Sequence, residues 1–263
     1  DWAYAHAVIG TKEGIEGATL DMVQSFHGTW YVPNNATLVL AGDVDVPQAL
    51  ALIREWFEPI PAVSLPERHV PVEPEPTGPR EDHLIDANAR LPALYLAWPV
   101  PAVNQPERYA LEVLARVLGD GKSGRLYRRL VAEKRVAIQV SASLESKAGP
   151  DLLNVTIIHE AGAREAVLSE LASVLTELRE DGITEAERSR VANQVSTEFV
   201  YGLASNLHRA MLLAFFTFWY DDPLKINDEI AALSGVTAGQ VRDVAARYLL
   251  PDRRVTLVVE VAP

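Results

Sequence analysis

Two stretches of this 263-residue chain are copies of one another, and this limits its fold more than any other feature of the sequence. Residues 19–43, TLDMVQSFHGTWYVPNNATLVLAGD, place in order a helix-capping Thr, an amphipathic helical pattern, a Tyr, a Pro-containing turn and an apolar strand. Residues 237–261, TAGQVRDVAARYLLPDRRVTLVVEV, repeat that order. Thr19 and Pro33 are as far apart as Thr237 and Pro251, and Thr37-Leu38-Val39 and Thr256-Leu257-Val258 follow with a shift of one residue. A period of about 218 residues is domain duplication, not a solenoid repeat. The expectation is therefore the tail of one domain over residues 1–58, a linker over 59–80 and a complete second domain over 81–263. On this reading roughly 150 residues of the first copy are absent from the chain.

The remaining pattern agrees with a mixed architecture. Asp1-Trp2-Ala3-Tyr4 and Gly10, Gly14 and Gly17 read as an N-terminal loop. Thr19 caps a helix to about Trp30, residues 36–41 have the continuous apolar character of a buried strand, and Val46, Leu50, Ile53, Trp56 and Phe57 fall at helical spacing. Seven of the 17 prolines lie between Pro59 and Pro79, which excludes helix or central strand there. Beyond this linker the sequence predicts a strand over 93–98, helices over 105–118 and 125–133, and an antiparallel pair, 136–144 with 152–159, joined across Ala148-Gly149-Pro150. A helix over 164–180 follows. Thr184 and Glu187 form a capping box opening a helical pattern that runs towards Tyr220. Unbroken, it would span about 54 Å, so a break is expected near residues 202–206. A short helix over 224–232 precedes the repeated module, which Thr237 and Gln240 cap. These blocks predict an α+β fold, helices layered on a mainly antiparallel sheet, with the first copy of the duplication truncated.

Composition excludes several functions. The formal net charge of -12 disfavours nucleic acid, because phosphate neutralisation needs a basic surface, while a cationic or unfolded peptide remains acceptable. No apolar run reaches membrane-spanning length; residues 210–218 come nearest. With no cysteine there is neither a disulfide nor a thiolate site, and both cytoplasm and periplasm stay open.

Metal ligation needs histidines and a carboxylate at helical spacing. His6, His27, His69, His83, His159 and His208 form neither H-x-x-E-H nor H-E-x-x-H, and His159-Glu160 reads as an ordinary exposed pair. Gly119-Asp120-Gly121-Lys122-Ser123-Gly124 is not a Walker loop, since position 116 is Arg and a helix precedes it. It is either a flexible connection or a Gly-rich loop that contacts a polypeptide backbone. No G-x-S-x-G occurs. Arg209 borders an apolar stretch, where it sits either on the wet side of its helix or in a cleft that must supply an acceptor. Phe215, Phe216, Phe218, Trp219 and Tyr220 form an aromatic cluster suited to a core or a domain interface.

Taken with TLDMVQSFHGTWYVPNNATLVLAGDVD and Pro59-Ile60-Pro61, the runs ALYLAWPVPA, LEVLARVLGDGKSGRLYRRLVAEKRVA and RAMLLAFF give the chain a family likeness. It resembles the pitrilysin/insulysin zinc metallopeptidases, which include mitochondrial processing peptidase and the core proteins of the cytochrome bc1 complex. The resemblance implies homologous α+β domains enclosing a peptide chamber. It places zinc in the absent part of the first copy or in a partner subunit, and no metal in this chain. In the second copy Tyr109 and Val113 stand at the positions of the two zinc histidines, which leaves Glu112 no metal or water to act on. The chain alone is expected to be inert. The resemblance also implies substrate-binding positions at Arg209, at Phe216 where the family has a Tyr, and at Gly119, Gly121 and Ser123 of the Gly-rich loop.

The leading expectation is thus the non-catalytic part of a bacterial-type zinc protease, with the periplasm favoured. Its implied partners are a peptide substrate and a zinc-bearing homologous domain or subunit, in one polypeptide or in a homo- or heterodimer. The alternative is a scaffold homologue like the respiratory core proteins, without peptidase activity; a third reading is a peptide-binding module that uses an exposed sheet edge.

Overall fold

The computed structural model describes residues 5, 7–68, 72–147 and 149–262; Asp1 to Tyr4, His6, His69 and Ala148, which figure in the sequence reading, lie outside them. In chain order the elements are α1 (Lys12–Glu16), α2 (Leu20–Trp30), α3 (Val46–Phe57), β1 (Arg80–Asp86), β2 (Ala93–Val100), α4 (Arg108–Gly119), β3 (Ala137–Leu144) and β4 (Asp151–His159). There follow α5 (Arg164–Glu180), α6 (Glu185–Gly202), α7 (Asn206–Tyr220), α8 (Glu229–Ser234), α9 (Ala238–Tyr248) and β5 (Val255–Val261). They divide into two compact units, residues 1–72 with 200–227, and residues 73–199 with 228–263.

The second unit holds the sheet, in the order β1-β5-β2-β4-β3. Only β1 and β5 run parallel; β5 with β2, β2 with β4 and β4 with β3 are antiparallel. Alternation makes one face of the sheet: Leu94, Leu96, Trp98 and Val100 of β2 and Leu153, Val155 and Ile157 of β4 are buried. Leu111, Leu114 and Leu118 of α4, Leu171 and Leu178 of α5 and Val241 and Ala245 of α9 complete the same core. Trp98 is fully buried and donates its indole N–H to the carbonyl of Leu250 at 3.1 Å, so its one polar atom is satisfied.

Two details differ from the sequence reading. Arg80–Asp86, placed in and just after the linker, forms strand β1. It carries a run of charges because it is an edge strand exposed along almost its whole length, which leaves no apolar alternation to detect. The helix expected over 125–133 is π-helical from Tyr127 to Glu133. The other helices and strands of the unit form close to where they are expected, as does the Thr184–Glu187 box, in which Glu187 accepts from the Thr184 N–H at 2.8 Å and Thr184 from the Glu187 N–H at 3.2 Å.

In the first unit α2 and α3 form where expected, capped by the side chains of Thr19 and Asp45. Asn34 binds the N–H and carbonyl of Val63, at 3.2 and 2.9 Å, pinning the turn after α2 to the Pro-rich segment. The helical break near 202–206 is present between α6 and α7. A Cβ at Gly202 would meet the His208 ring at 2.7 Å, and Ser205 caps α7.

Residues 36–41, expected as a buried strand, join no strand among the described residues, with Leu38 and Leu40 54% and 52% exposed. The repeat explains the difference. The corresponding β5 lies between β1 and β2 and pairs with both, and among the described residues the first unit holds no strand to flank residues 36–41. The repeated helices diverge likewise: α9 buries Val241, Val244, Ala245 and Tyr248, whereas its counterpart α2 buries no residue. One sequence module is thus packed in one unit and bare in the other.

Candidate groove beside the terminal strand

β3 is the last strand of the sheet, and α4 ends against it. The approach is close because Gly119 closes α4: a Cβ there would lie 2.2 Å from the Ala142 nitrogen and 2.6 Å from the Ala142 Cβ. Between the two elements runs an open groove of about 440 Å³, lined by Glu112, Arg116 and Asp120, by residues 141–144 of β3, and by Glu198 of α6.

One side of the groove is charged. Arg116 donates to Glu112 at 2.8 Å, to Glu198 at 2.9 Å and to Asp120 at 3.3 Å. Gln194 donates to Asp120 at 2.7 Å and to Glu198 at 3.0 Å. Burial disfavours the charged form of Arg116, but Glu112 and Glu198 outweigh it and hold the guanidinium above its ordinary range. For Glu198 burial acts upward, and Gln194 and Arg116 overcome it and keep the carboxyl below the usual carboxylate range. Three carboxylates therefore face one guanidinium. None of this was singled out in the sequence, although Glu112, Arg116 and Asp120 stand at successive i, i+4 positions.

The start of α4 does not fit a zinc ion. Tyr109 donates its hydroxyl to Glu229 at 2.9 Å, Arg108 holds the same carboxylate at 3.2 and 3.4 Å, and Val113 is 2% exposed. A phenol engaged with a carboxylate and a buried isopropyl group supply no imidazole nitrogen where a metal would need one. Among the described residues no group of three or more His, Cys, Asp or Glu is placed to hold a metal, and no helix is long and apolar enough to cross a membrane.

The sequence-derived site residues fall in different places. Gly119 and Gly121 belong to the second unit, at the end of α4 and in the 3-10 turn Gly121–Ser123; Gly121 has φ +62° and Ser123 is exposed. Arg209 and Phe216 lie on α7 of the first unit. Arg209 is exposed and donates to the Leu203 carbonyl at 2.8 Å, tying down the turn before its own helix. Phe216 is 1% exposed and packs on Phe215 and Tyr220. His159, read as exposed, is 3% exposed, with Nδ1 2.8 Å from the Glu160 carbonyl. It continues the buried alternation of β4 from Leu153 through Val155 and Ile157, a pattern already present in the sequence.

Residues 17–195 match the family model described as the peptidase M16 inactive domain. The chain belongs to the peptidase M16 family. Among M16 relatives, the zinc protease PqqE of Helicobacter pylori is 29% identical over 216 residues, covering 80% of this chain and 48% of the relative. The structure of a protease from Helicobacter pylori aligns with a TM-score of 0.86 at 25% identity, over 96% of this chain and 62% of that one. The periplasmic protease PqqL from Escherichia coli shares the fold, with a TM-score of 0.69 at 18% identity over 84% of this chain and 25% of its own. The chain spans about half the length of the curated relatives it matches. Its α+β fold, helices on a five-stranded mixed sheet, is that of M16 inactive domains.

Proposed function

We propose that this M16 inactive domain is a wall of the peptide chamber of a zinc-dependent metalloendopeptidase, and that it binds peptide without cleaving it. The observation that carries the reading is the groove beside β3. A terminal strand with no strand partner on its outer side among the described residues offers main-chain groups to an extended peptide, and small residues, Ser141, Ala142 and Ser143, let a backbone approach. Hydrolysis requires a metal and a carboxylate positioned on its water, and Tyr109 and Val113 supply neither ligand.

The catalytic zinc then belongs to a homologous domain, in the same polypeptide or in a partner subunit. The bare apolar side chains of α2 and of residues 36–41 support such a partner, since the same module in the second unit is covered by a sheet and helices. A periplasmic location is proposed from PqqL, which is described as a periplasmic protease.

A second reading, a scaffold without peptidase role, is favoured by Arg209 and Phe216. One is engaged with the Leu203 carbonyl, and the other is buried and lacks a hydroxyl. Peptide hydrolysis decides between the two. The chain, a homologous domain carrying H-x-x-E-H, and the two mixed are each assayed with an unstructured peptide and zinc. The peptidase reading expects turnover to rise at least about tenfold on mixing, a gain of about 1.4 kcal/mol in transition-state stabilisation. An unchanged rate leaves the scaffold.

A further inference from the structure

We infer that the groove beside β3 selects extended peptide segments bearing Lys or Arg; this rests on the peptide-binding reading above and adds the chemistry of the ligand. Strand addition uses main-chain groups, which every peptide possesses, so pairing along β3 provides affinity but no choice among sequences. Choice must come from the side chains of the groove wall.

That wall is acidic in net terms. Glu112, Asp120 and Glu198 face Arg116 alone, an excess of two negative charges. The guanidinium donates to all three carboxylates through Nε and Nη1, which sets its single charge against theirs. The carboxylates differ, because each has more acceptor positions than Arg116 and Gln194 occupy, and their side chains are 31%, 33% and 52% exposed. A Lys or Arg side chain entering the groove finds open carboxylate acceptor positions without displacing a structural pair. Its apolar stem can lie along Ala115 and Ala142, which line the same groove. An acidic peptide meets repulsion there, and the net charge of -12 acts in the same sense at longer range.

The test uses the complete chain and fluorescence anisotropy. The probes are unstructured peptides of equal length, identical except that their variable positions are all Lys, all Gln or all Glu. A further Lys peptide is N-methylated at alternate backbone amides. The Lys peptide is expected to bind about five- to tenfold more tightly than the Gln peptide at low salt and to lose that advantage at high salt; the Glu peptide binds weakest. Backbone methylation weakens the Lys peptide.

Combining Asp120→Asn with Glu198→Gln removes the preference for Lys and leaves the Gln peptide unchanged. Combining Glu160→Gln with Glu180→Gln, which alters net charge equally at exposed positions away from the groove, keeps the preference. Circular dichroism confirms that both variants are folded. Equal binding of the Lys and Gln peptides, or a preference that the control pair abolishes as fully as the groove pair, overturns the charge selection while peptide binding stands. If none of the peptides binds, the peptide-binding reading falls and the selection falls with it.

Discussion

Gly119 at the end of α4 stands so close to Ala142 of β3 that a Cβ on it would lie 2.2 Å from the Ala142 nitrogen. The Gly-rich loop therefore begins with a packing requirement. Gly119→Ala must push α4 away from β3, and the expected loss is about 1–3 kcal/mol of stability, read from the midpoint of urea unfolding. Gly121, with φ +62° and open space around its Cα, is the contrast. Gly121→Ala should cost about 1 kcal/mol through backbone strain alone.

Arg125 joins the start of the π-helix to α6 by donating to both oxygens of Glu187, at 2.6 and 2.7 Å, and to the Gly182 carbonyl at 2.9 Å. Burial would raise the Glu187 carboxyl, but Arg125 and Thr184 outweigh it and bring it down to about 2. A depressed carboxyl contributes stability above its unfolded value near 4.5, and that contribution disappears as pH falls towards 2. Arg125→Ala should lose about 3 kcal/mol at pH 7, leaving a half-buried carboxylate unpaired. Below about pH 4 the gap from the unsubstituted chain should narrow in denaturant titrations.

Asp151, buried at the start of β4, behaves in the opposite way. Burial pushes its carboxyl up to about 6, with the Leu152 and Lys147 N–H groups only partly offsetting it. The cost of holding it ionised sets in as pH rises through 3.8 and is complete above about 6, so this group favours the folded state most at low pH. Asp151→Asn removes the titration. At pH 8 it should be more stable than the unsubstituted chain by up to about 2–3 kcal/mol, and at pH 4 the difference should vanish, as measured by thermal unfolding.

The bare module of the first unit makes a fourth prediction. Leu38 and Leu40 are exposed, so Leu38→Lys with Leu40→Glu should change the stability of this chain by no more than about 0.5 kcal/mol. If a homologous zinc-bearing domain covers residues 36–41, the same pair should abolish the gain in hydrolysis on mixing. Retained gain places the partner elsewhere.

Much of the second unit was legible because burial imposes a period. Leu94, Leu96 and Trp98 alternate, Leu111, Leu114 and Leu118 recur on one helical face, and Thr184 and Thr237 announce their helices through local hydrogen bonds. Where no side chain is buried the signal fails: β1 is a strand only because β5 runs beside it. Where the apolar residues are present but their neighbours are not, the signal overreaches, as at residues 36–41. The groove was visible only in part. Gly119 stood out by composition, while the Arg116 cluster needed Glu198, which is 82 positions away in sequence and reaches it only in the fold.

The most direct measurement of the central claim is hydrogen exchange on the chain assembled with a homologous zinc-bearing domain whose catalytic carboxylate is replaced, with and without an unstructured peptide. An extended peptide in the groove should slow exchange at residues 139–145 of β3 and its hairpin by about tenfold or more, with the β1 edge unchanged. Unchanged exchange along β3 under saturating peptide would contradict the account.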